Sequence, residues 1–197
     1  ISLQRQQTKS GRRTKPPDTF FAEEISKKLQ SKYYAMDSLY LRYATPEDIP
    51  QILGFIRELA EYEHMENEVV ATEELLHEWL FVKQKAEVLI GETEGKAVGF
   101  ALFFHNFSTF LGRAGIYLED LYVKPEFRGR GFGRAFLARL AATAVERGCG
   151  RLEWWCLDWN RPSIEFYLSL GAVPMSDWTV YRICGNTLSE LAKTDRQ

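Results

Sequence analysis

The sequence predicts an alternating α/β domain, and three observations carry the prediction. The apolar strand Tyr117-Leu-Glu-Asp-Leu-Tyr-Val123 passes through the glycine-rich turn Arg128-Gly-Arg-Gly-Phe-Gly133 directly into a helical stripe. Segments of period 2 and period 3.6 succeed one another on both sides of that unit. At 197 residues, 45% hydrophobic and 14% aromatic, the chain can bury one sizeable core, so a single domain over residues 36–197 is expected.

Residues 39–43 read as the first strand. Thr45-Pro-Glu-Asp then supplies an N-cap and a first-turn proline for a helix whose Ile49, Ile52, Leu53, Ile56 and Leu59 share one face. A second helix opens at Thr72 and is expected to pack through Leu75, Leu76, Trp79 and Leu80. Strands at 86–92 and 97–104 meet at a Glu94-Gly95 turn. The central strand, 115–123, feeds a helix from Gly131 with Phe132, Phe136, Leu140 and Ala144 on one stripe, Leu137, Ala141 and Val145 beside it, and Gly148 as the stop. A Trp-rich strand at 151–157, a short helix from 161 and a last strand at 177–184 complete the order.

The strand-to-helix turn is built as an anion cradle. The first turn of a helix points unpaired N–H groups and the positive end of its dipole at whatever lies over the loop. Gly129, Gly131 and Gly133 let the backbone approach a phosphate, and Arg128, Arg130 and Arg134 add charge that could face it. A Walker A loop needs GxxxxGK followed by Ser or Thr, and none is present. A dinucleotide fingerprint needs GxGxxG, whereas these glycines fall as GxGxG. The remaining alternative is a loop that only turns a strand into a helix. In the strand before it, alternation puts Glu119 with Tyr117, Leu121 and Val123 on one face and Asp120 on the other, unless a bulge intervenes. Two adjacent carboxylates in an apolar strand are expensive if unpaired, so at least one is expected to face a cleft.

Arg128-Gly-Arg-Gly-Phe-Gly133 matches the R/Q-x-x-G-x-G/A signature of the GNAT N-acetyltransferases. The strand at 117–123 and the run Trp159-Asn-Arg-Pro-Ser-Ile-Glu-Phe-Tyr-Leu-Ser-Leu-Gly-Ala172 match that superfamily in order and spacing. LEDLYV, the WNxPSIxFY run and Glu58-Leu-Ala-Glu-Tyr-Glu-His-Met-Glu66 more narrowly resemble its spermidine/spermine (diamine) and thialysine acetyltransferase subfamily. The resemblance covers residues 40–192. It implies a mixed, mostly antiparallel sheet, flanked by helices and splayed open at the central strand, with acetyl-CoA wedged into the opening.

By the same resemblance, backbone groups of Leu121, Tyr122 and Val123 hold the pantetheine arm. The loop residues Arg128, Gly129, Arg130, Gly131, Phe132, Gly133 and Arg134 surround the pyrophosphate, and Asn160 and Ser163 contact the coenzyme. Tyr167 donates a proton to the departing thiolate. Glu119 binds the amine end of the substrate and relays its proton through water, while Asp120 is structural or part of the same polar network. Tyr62 and Glu63 form the amine-binding mouth, with Glu153 and Trp154 on its far wall. Each has a plainer reading beside it: Glu119 satisfied by an arginine such as Arg182, Tyr167 as core, Asn160 as a helix cap.

The chemistry demands such groups. A primary amine with a pKa near 10.4 is neutral in only about one molecule in 2,500 at pH 7, and only the neutral form attacks a thioester. An acceptor for its proton and a donor for the thiolate are both needed. The resemblance therefore implies acetyl-CoA-dependent acetylation of a primary amine on a small cationic substrate, by direct attack on the thioester. A peptide or protein lysine acetyltransferase and a non-catalytic acyl-CoA sensor are the alternatives.

Charge separates tail from body. Residues 1–35 carry eight Lys/Arg against three Asp/Glu, near +5, and residues 36–197 carry 17 against 24, near −7. The tail's polar, Pro-containing composition cannot support a core, apart from a short amphipathic piece at 20–29. Vector-derived leader, upstream extension, targeting segment and nucleic-acid arm are its open readings, and it is set outside the functional argument. Between Glu58 and Val82 lie eight glutamates and no Lys or Arg, a pattern suited to a solvated helix face or to steering a polycation. The acidic residue the subfamily has before its last strand falls near Ser176, with Asp177 one place off, so thialysine, a short diamine or another small amine all remain open. No apolar run approaches a membrane span of about 20 residues. Cys149, Cys156 and Cys184 suit a reduced, cytoplasmic compartment, and the three scattered histidines indicate no metal. No nucleic-acid or membrane partner is expected, and the resemblance implies a homodimer whose C-terminal segment reaches its partner.

Overall fold

A computed structural model describes residues 38–195. The basic tail, with its amphipathic piece at 20–29, lies outside the described residues. The described chain forms two compact units, residues 38–154 and 155–195.

The first unit is a five-stranded sheet in the order β1 (Tyr40–Tyr43), β2 (Glu87–Thr93), β3 (Lys96–Ser108), β4 (Arg113–Val123) and β5 (Leu152–Trp154). The first four strands pair antiparallel and β5 joins β4 in parallel. The β2–β3 turn works because Glu94 and Gly95 both take positive φ, 50° and 72°, as a two-residue hairpin requires.

Helix α1 (Ile49–Glu63) follows a short 3-10 turn begun by Thr45, whose N–H donates to Asp48 Oδ2 at 2.8 Å. The Asp48 carboxylate also accepts both Arg42 terminal nitrogens at 2.7 Å, and Arg42 reaches Glu92 at 2.7 Å. This fork ties the helix start to the sheet edge and holds Asp48 down at about 2. α1 buries Ile52 and Phe55 against Val88, Ile90, Phe100 and Tyr122. Phe55 lies parallel to Phe100 with ring centroids 5.5 Å apart. The inward face is therefore centred on Phe55, and Ile56 and Leu59 are only half-buried.

On the opposite face, helix α3 (Phe132–Glu146) packs over β4 and β2. Gly91 makes room for it: a Cβ there would stand 2.7 Å from the Phe136 ring. The main stripe is buried as expected, but Ala141 and Val145 face solvent and Thr143 is inside, its hydroxyl donating to Arg139 O at 2.9 Å.

Three expectations are corrected. Helix α2 is α-helical only over Glu73–Leu76 and widens into a π turn over His77–Val82. The wider turn carries Leu80 inward and leaves Leu75 and Trp79 exposed, the latter under the Lys83 ammonium at 3.9 Å. The Trp-rich strand is only Leu152–Trp154. The segment 177–184 is not a strand: it has no ladder partner among the described residues, and a period-2 pattern makes a strand only where a neighbour takes its hydrogen bonds. The second unit instead consists of helix α4 (Arg161–Ser169), an irregular stretch, and helix α5 (Gly185–Ala192).

Candidate active site

The glycine loop folds as its composition demands. Gly129 and Gly131 have φ of 75° and 85°, and Gly131 is the residue on which α3 starts, with no side chain to cap it. Such a helix start offers its first N–H groups to an anion. The arginines divide their work in a way the sequence did not show. Arg128 turns inward: its Nε donates to Val123 O at 2.9 Å, and its guanidinium lies 4.7 Å from the Tyr62 ring and 5.7 Å from the Tyr122 ring. It ties the loop to the end of α1. Arg130 lies over Phe127 at 5.1 Å. Arg134 is exposed in the first turn of α3.

A bulge in β4 reorganises the acidic pair. Leu102 of β3 faces Asp120 and Phe103 faces Leu118, so Glu119 is an extra residue with no partner opposite. Beyond it the alternation reverses. Asp120 and Tyr122 share the α1 face with Val88, Ile90 and Phe100, while Leu121 and Val123 face the other way, contrary to simple alternation. The bulge thus sets Glu119 and Asp120 together, near Glu63 at the last turn of α1. Burial, then the charge of Glu119, then that of Glu63, push the Asp120 carboxyl up to about 7. Burial also raises Glu63. Among the described residues none of the three side chains has a hydrogen bond or ion pair, and none belongs to a group able to hold a metal ion.

The neighbouring polar groups are satisfied. Tyr122 is bonded to Glu58, and burial followed by the Glu58 charge pushes the phenol up to about 12. Lys124 pairs with Glu58 at 3.3 Å. The run of eight glutamates therefore divides: Glu58 and Glu78 have lysine partners, Glu73 and Glu74 lie at the Thr72-capped start of α2, and Glu63 joins the β4 pair. Glu153 is also engaged. It accepts from Asn106 Nδ2 at 2.6 Å and pairs with Arg151 Nε. Trp154 ends β5 half-buried.

β5 pairs with β4 over Ile116–Leu118 alone. From Glu119 to Val123, β4 has only β3 as a ladder neighbour among the described residues, which leaves the other edge of Leu121, Tyr122 and Val123 to another extended chain. In the second unit, α4 starts on Asn160, which is 7% exposed and whose side chain accepts from Ser163 N at 3.3 Å. Tyr167 is half-buried two turns on, its ring 5.3 Å from that of Phe166.

The sequence missed Asp120 as a group titrating near neutrality. Its signal was the adjacent Glu-Asp pair, but the bulge that turns Asp120 onto the α1 face is a property of the ladder.

Comparison with known proteins agrees with this geometry. Residues 33–172 match the profile of the acetyltransferase (GNAT) family. A thialysine N-epsilon-acetyltransferase of Sus scrofa is 38% identical over 169 residues, covering 80% of this chain and 99% of that protein. An L-ornithine N5-acetyltransferase of Arabidopsis thaliana is 29% identical, covering 78% and 87%. Among solved structures, an integron cassette protein from the mobile metagenome of V. cholerae superposes with a TM-score of 0.68 at 27% identity, over 80% of this chain and 99% of that one.

Proposed function

This chain belongs to the acetyltransferase (GNAT) family and is an N-acetyltransferase, and we propose that it moves the acetyl group of acetyl-CoA onto a primary amine of a small dicationic substrate. The observation that carries the reading is the trio Glu63, Glu119 and Asp120: three carboxylates with no protein cation, beside a glycine loop built for a pyrophosphate. Unpaired acidic groups drawn together, with Glu63 and Asp120 half-buried, are costly unless a cation arrives to share them. Relatives acting on thialysine and ornithine, both short diamino acids, support the same substrate class.

In this reading, acetyl-CoA lies along the open edge of Leu121, Tyr122 and Val123. Its pyrophosphate rests on the backbone of Gly129, Gly131, Phe132 and Gly133, with Arg134 and Arg130 adding charge and Arg128 clamping the loop to Tyr62. Asn160 and Ser163 meet the coenzyme, and Tyr167 returns a proton to the thiolate. The amine enters past Tyr62, Glu63 and Trp154, with Glu119 holding its charge. The chain works as a homodimer, supported by apolar side chains left exposed beyond residue 155, among them Trp178 and Tyr181 at 70% and 91%. A strand edge at 177–184 no longer contributes to that argument. No helix among the described residues is long and apolar enough to cross a membrane.

The test is a panel of thialysine, ornithine, short diamines, spermidine, aminoglycosides and lysine peptides assayed for CoA release. Short diamines and diamino acids should lead. Preference for peptides would redirect the reading to protein acetylation, and tight acetyl-CoA binding with no acceptor at all would favour a sensor.

A further inference from the structure

We propose that Asp120, rather than its neighbour Glu119, is the group that takes the proton from the substrate ammonium, with Glu119 and Glu63 serving as fixed negative charges that tune it. The inference rests on the acetyltransferase reading above. Three features separate the two neighbours. Glu119 is the extra residue of the bulge and is exposed, so water solvates its carboxylate. Asp120 is in register opposite Leu102, half-buried on the α1 face between Leu102 and Tyr122. The charged groups acting on it are Glu119 from its own strand and Glu63 from α1, both negative, and the nearby Tyr122 phenol is committed to Glu58. A carboxylate so placed binds a proton more tightly than a solvated one, which suits an acceptor working near neutral pH.

The step balances. The ammonium gives one proton to the Asp120 carboxylate, and the neutral nitrogen bonds to the thioester carbon as the C=O π pair moves onto oxygen. Re-formation of C=O breaks the C–S bond. The proton then lost from nitrogen balances the one gained by the thiolate, and Asp120 releases its own to water.

The experiment compares wild type, Asp120→Asn, Glu119→Gln and Glu63→Gln with thialysine and 1,3-diaminopropane from pH 5.5 to 9.5, at saturating acetyl-CoA. Calorimetric acetyl-CoA affinity serves as the check on folding. Asp120→Asn should lower kcat by about 100-fold or more and abolish the acid limb of the kcat/KM profile. Glu119→Gln and Glu63→Gln should mainly raise KM and move that limb to lower pH, because each removes a charge that makes Asp120 more basic. A limb that survives in Asp120→Asn, or vanishes in Glu119→Gln, overturns the assignment. A carbon-13 titration of the side-chain carboxyls reads Asp120 without turnover: a midpoint near neutrality, lost in Asp120→Asn, supports the assignment, and a midpoint in the ordinary aspartate range rejects it. If wild type acetylates neither amine while Asp120 still titrates near neutrality, the functional reading fails and this assignment falls with it.

Discussion

Residues 38–154 and residues 155–195 hold their chemistry in place by different means. Every buried apolar side chain among the described residues belongs to the first unit, and from Trp155 onward the only buried residue is Asn160. The first unit clamps its bulge and glycine loop between a helix on each face of a sheet. The second fixes α4 by local hydrogen bonds, an Asn160 cap at one end and a left-handed Gly171 at the other, while Val173, Met175, Trp178, Val180, Tyr181 and Ile183 stay exposed. A segment of that size with one buried residue has no apolar core of its own. The proposed acceptor carboxylates thus sit on a packed frame, and the proposed donor Tyr167 sits on a helix held by local caps.

The largest effects should separate the two regions in stability. Phe100 is fully buried and stacked on Phe55, so Phe100→Ala should cost about 3–5 kcal/mol in denaturant unfolding. Trp178→Ser in dilute protein should stay within about 0.5 kcal/mol, as exposed positions do. Equal losses at the two sites would erase the contrast. Tyr167→Phe should do the reverse, keeping the ring and its contact with Phe166 but lowering turnover by about 10²–10⁴. Near-normal turnover with the best amine would make Tyr167 a packing residue.

The same contrast explains what could be read from the sequence. The elements of the first unit were legible because its periodicities describe surfaces that are in fact buried: the Ile49–Leu53 stripe, the Phe132–Leu140 stripe, and the strands around the Glu94-Gly95 turn. Its errors are local geometry. Nothing in the run 73–82 distinguishes α from π winding, and nothing in LEDLYV marks which residue the ladder skips, so the two faces of β4 were exchanged beyond Leu118. The engagement of Glu153 was only half legible: Arg151 stands two residues before it, but Asn106 comes from a distant strand. In the second unit the Asn-x-Pro-Ser start of α4 was clear, since a cap needs only its own neighbours. The segment 177–184 failed because strand formation is a property of pairs.

The unpaired carboxylates make the packed frame less stable than its packing allows, and pH reveals this. Asp120 has a folded pKa of about 7, above the ordinary aspartate value near 3.9. A raised folded pKa contributes stability that is fully present below the unfolded value and is lost as pH rises through the folded one. Stability should therefore decline between about pH 4 and 7 at this site, and Asp120→Asn should be more stable than wild type at pH 8, by at most on the order of 4 kcal/mol. Thermal unfolding at pH 5 and pH 8 checks the sign. A variant less stable than wild type at pH 8 would mean that the carboxylate has a cationic partner.

The smallest expected loss of function tests whether the frame holds the loop as firmly as it holds the core. Gly131 starts α3 at φ 85°, where a β-branched residue is strained, and the same backbone is the floor proposed for the pyrophosphate. Behind it Phe132 is buried and stacked near Phe127, and ahead of it Arg128 is fixed to Val123 O and Tyr62. With both flanks pinned, Gly131→Val cannot relax by shifting the whole loop, so the strain and the added methyls act at the phosphate. Acetyl-CoA affinity should fall at least about tenfold, near 1.4 kcal/mol, while KM for the amine at saturating acetyl-CoA stays close to wild type. Unchanged affinity in a calorimetric titration would remove the loop from the coenzyme site. A loss of amine affinity of equal size would instead show that the Arg128–Tyr62 contact carries the distortion across to the carboxylates.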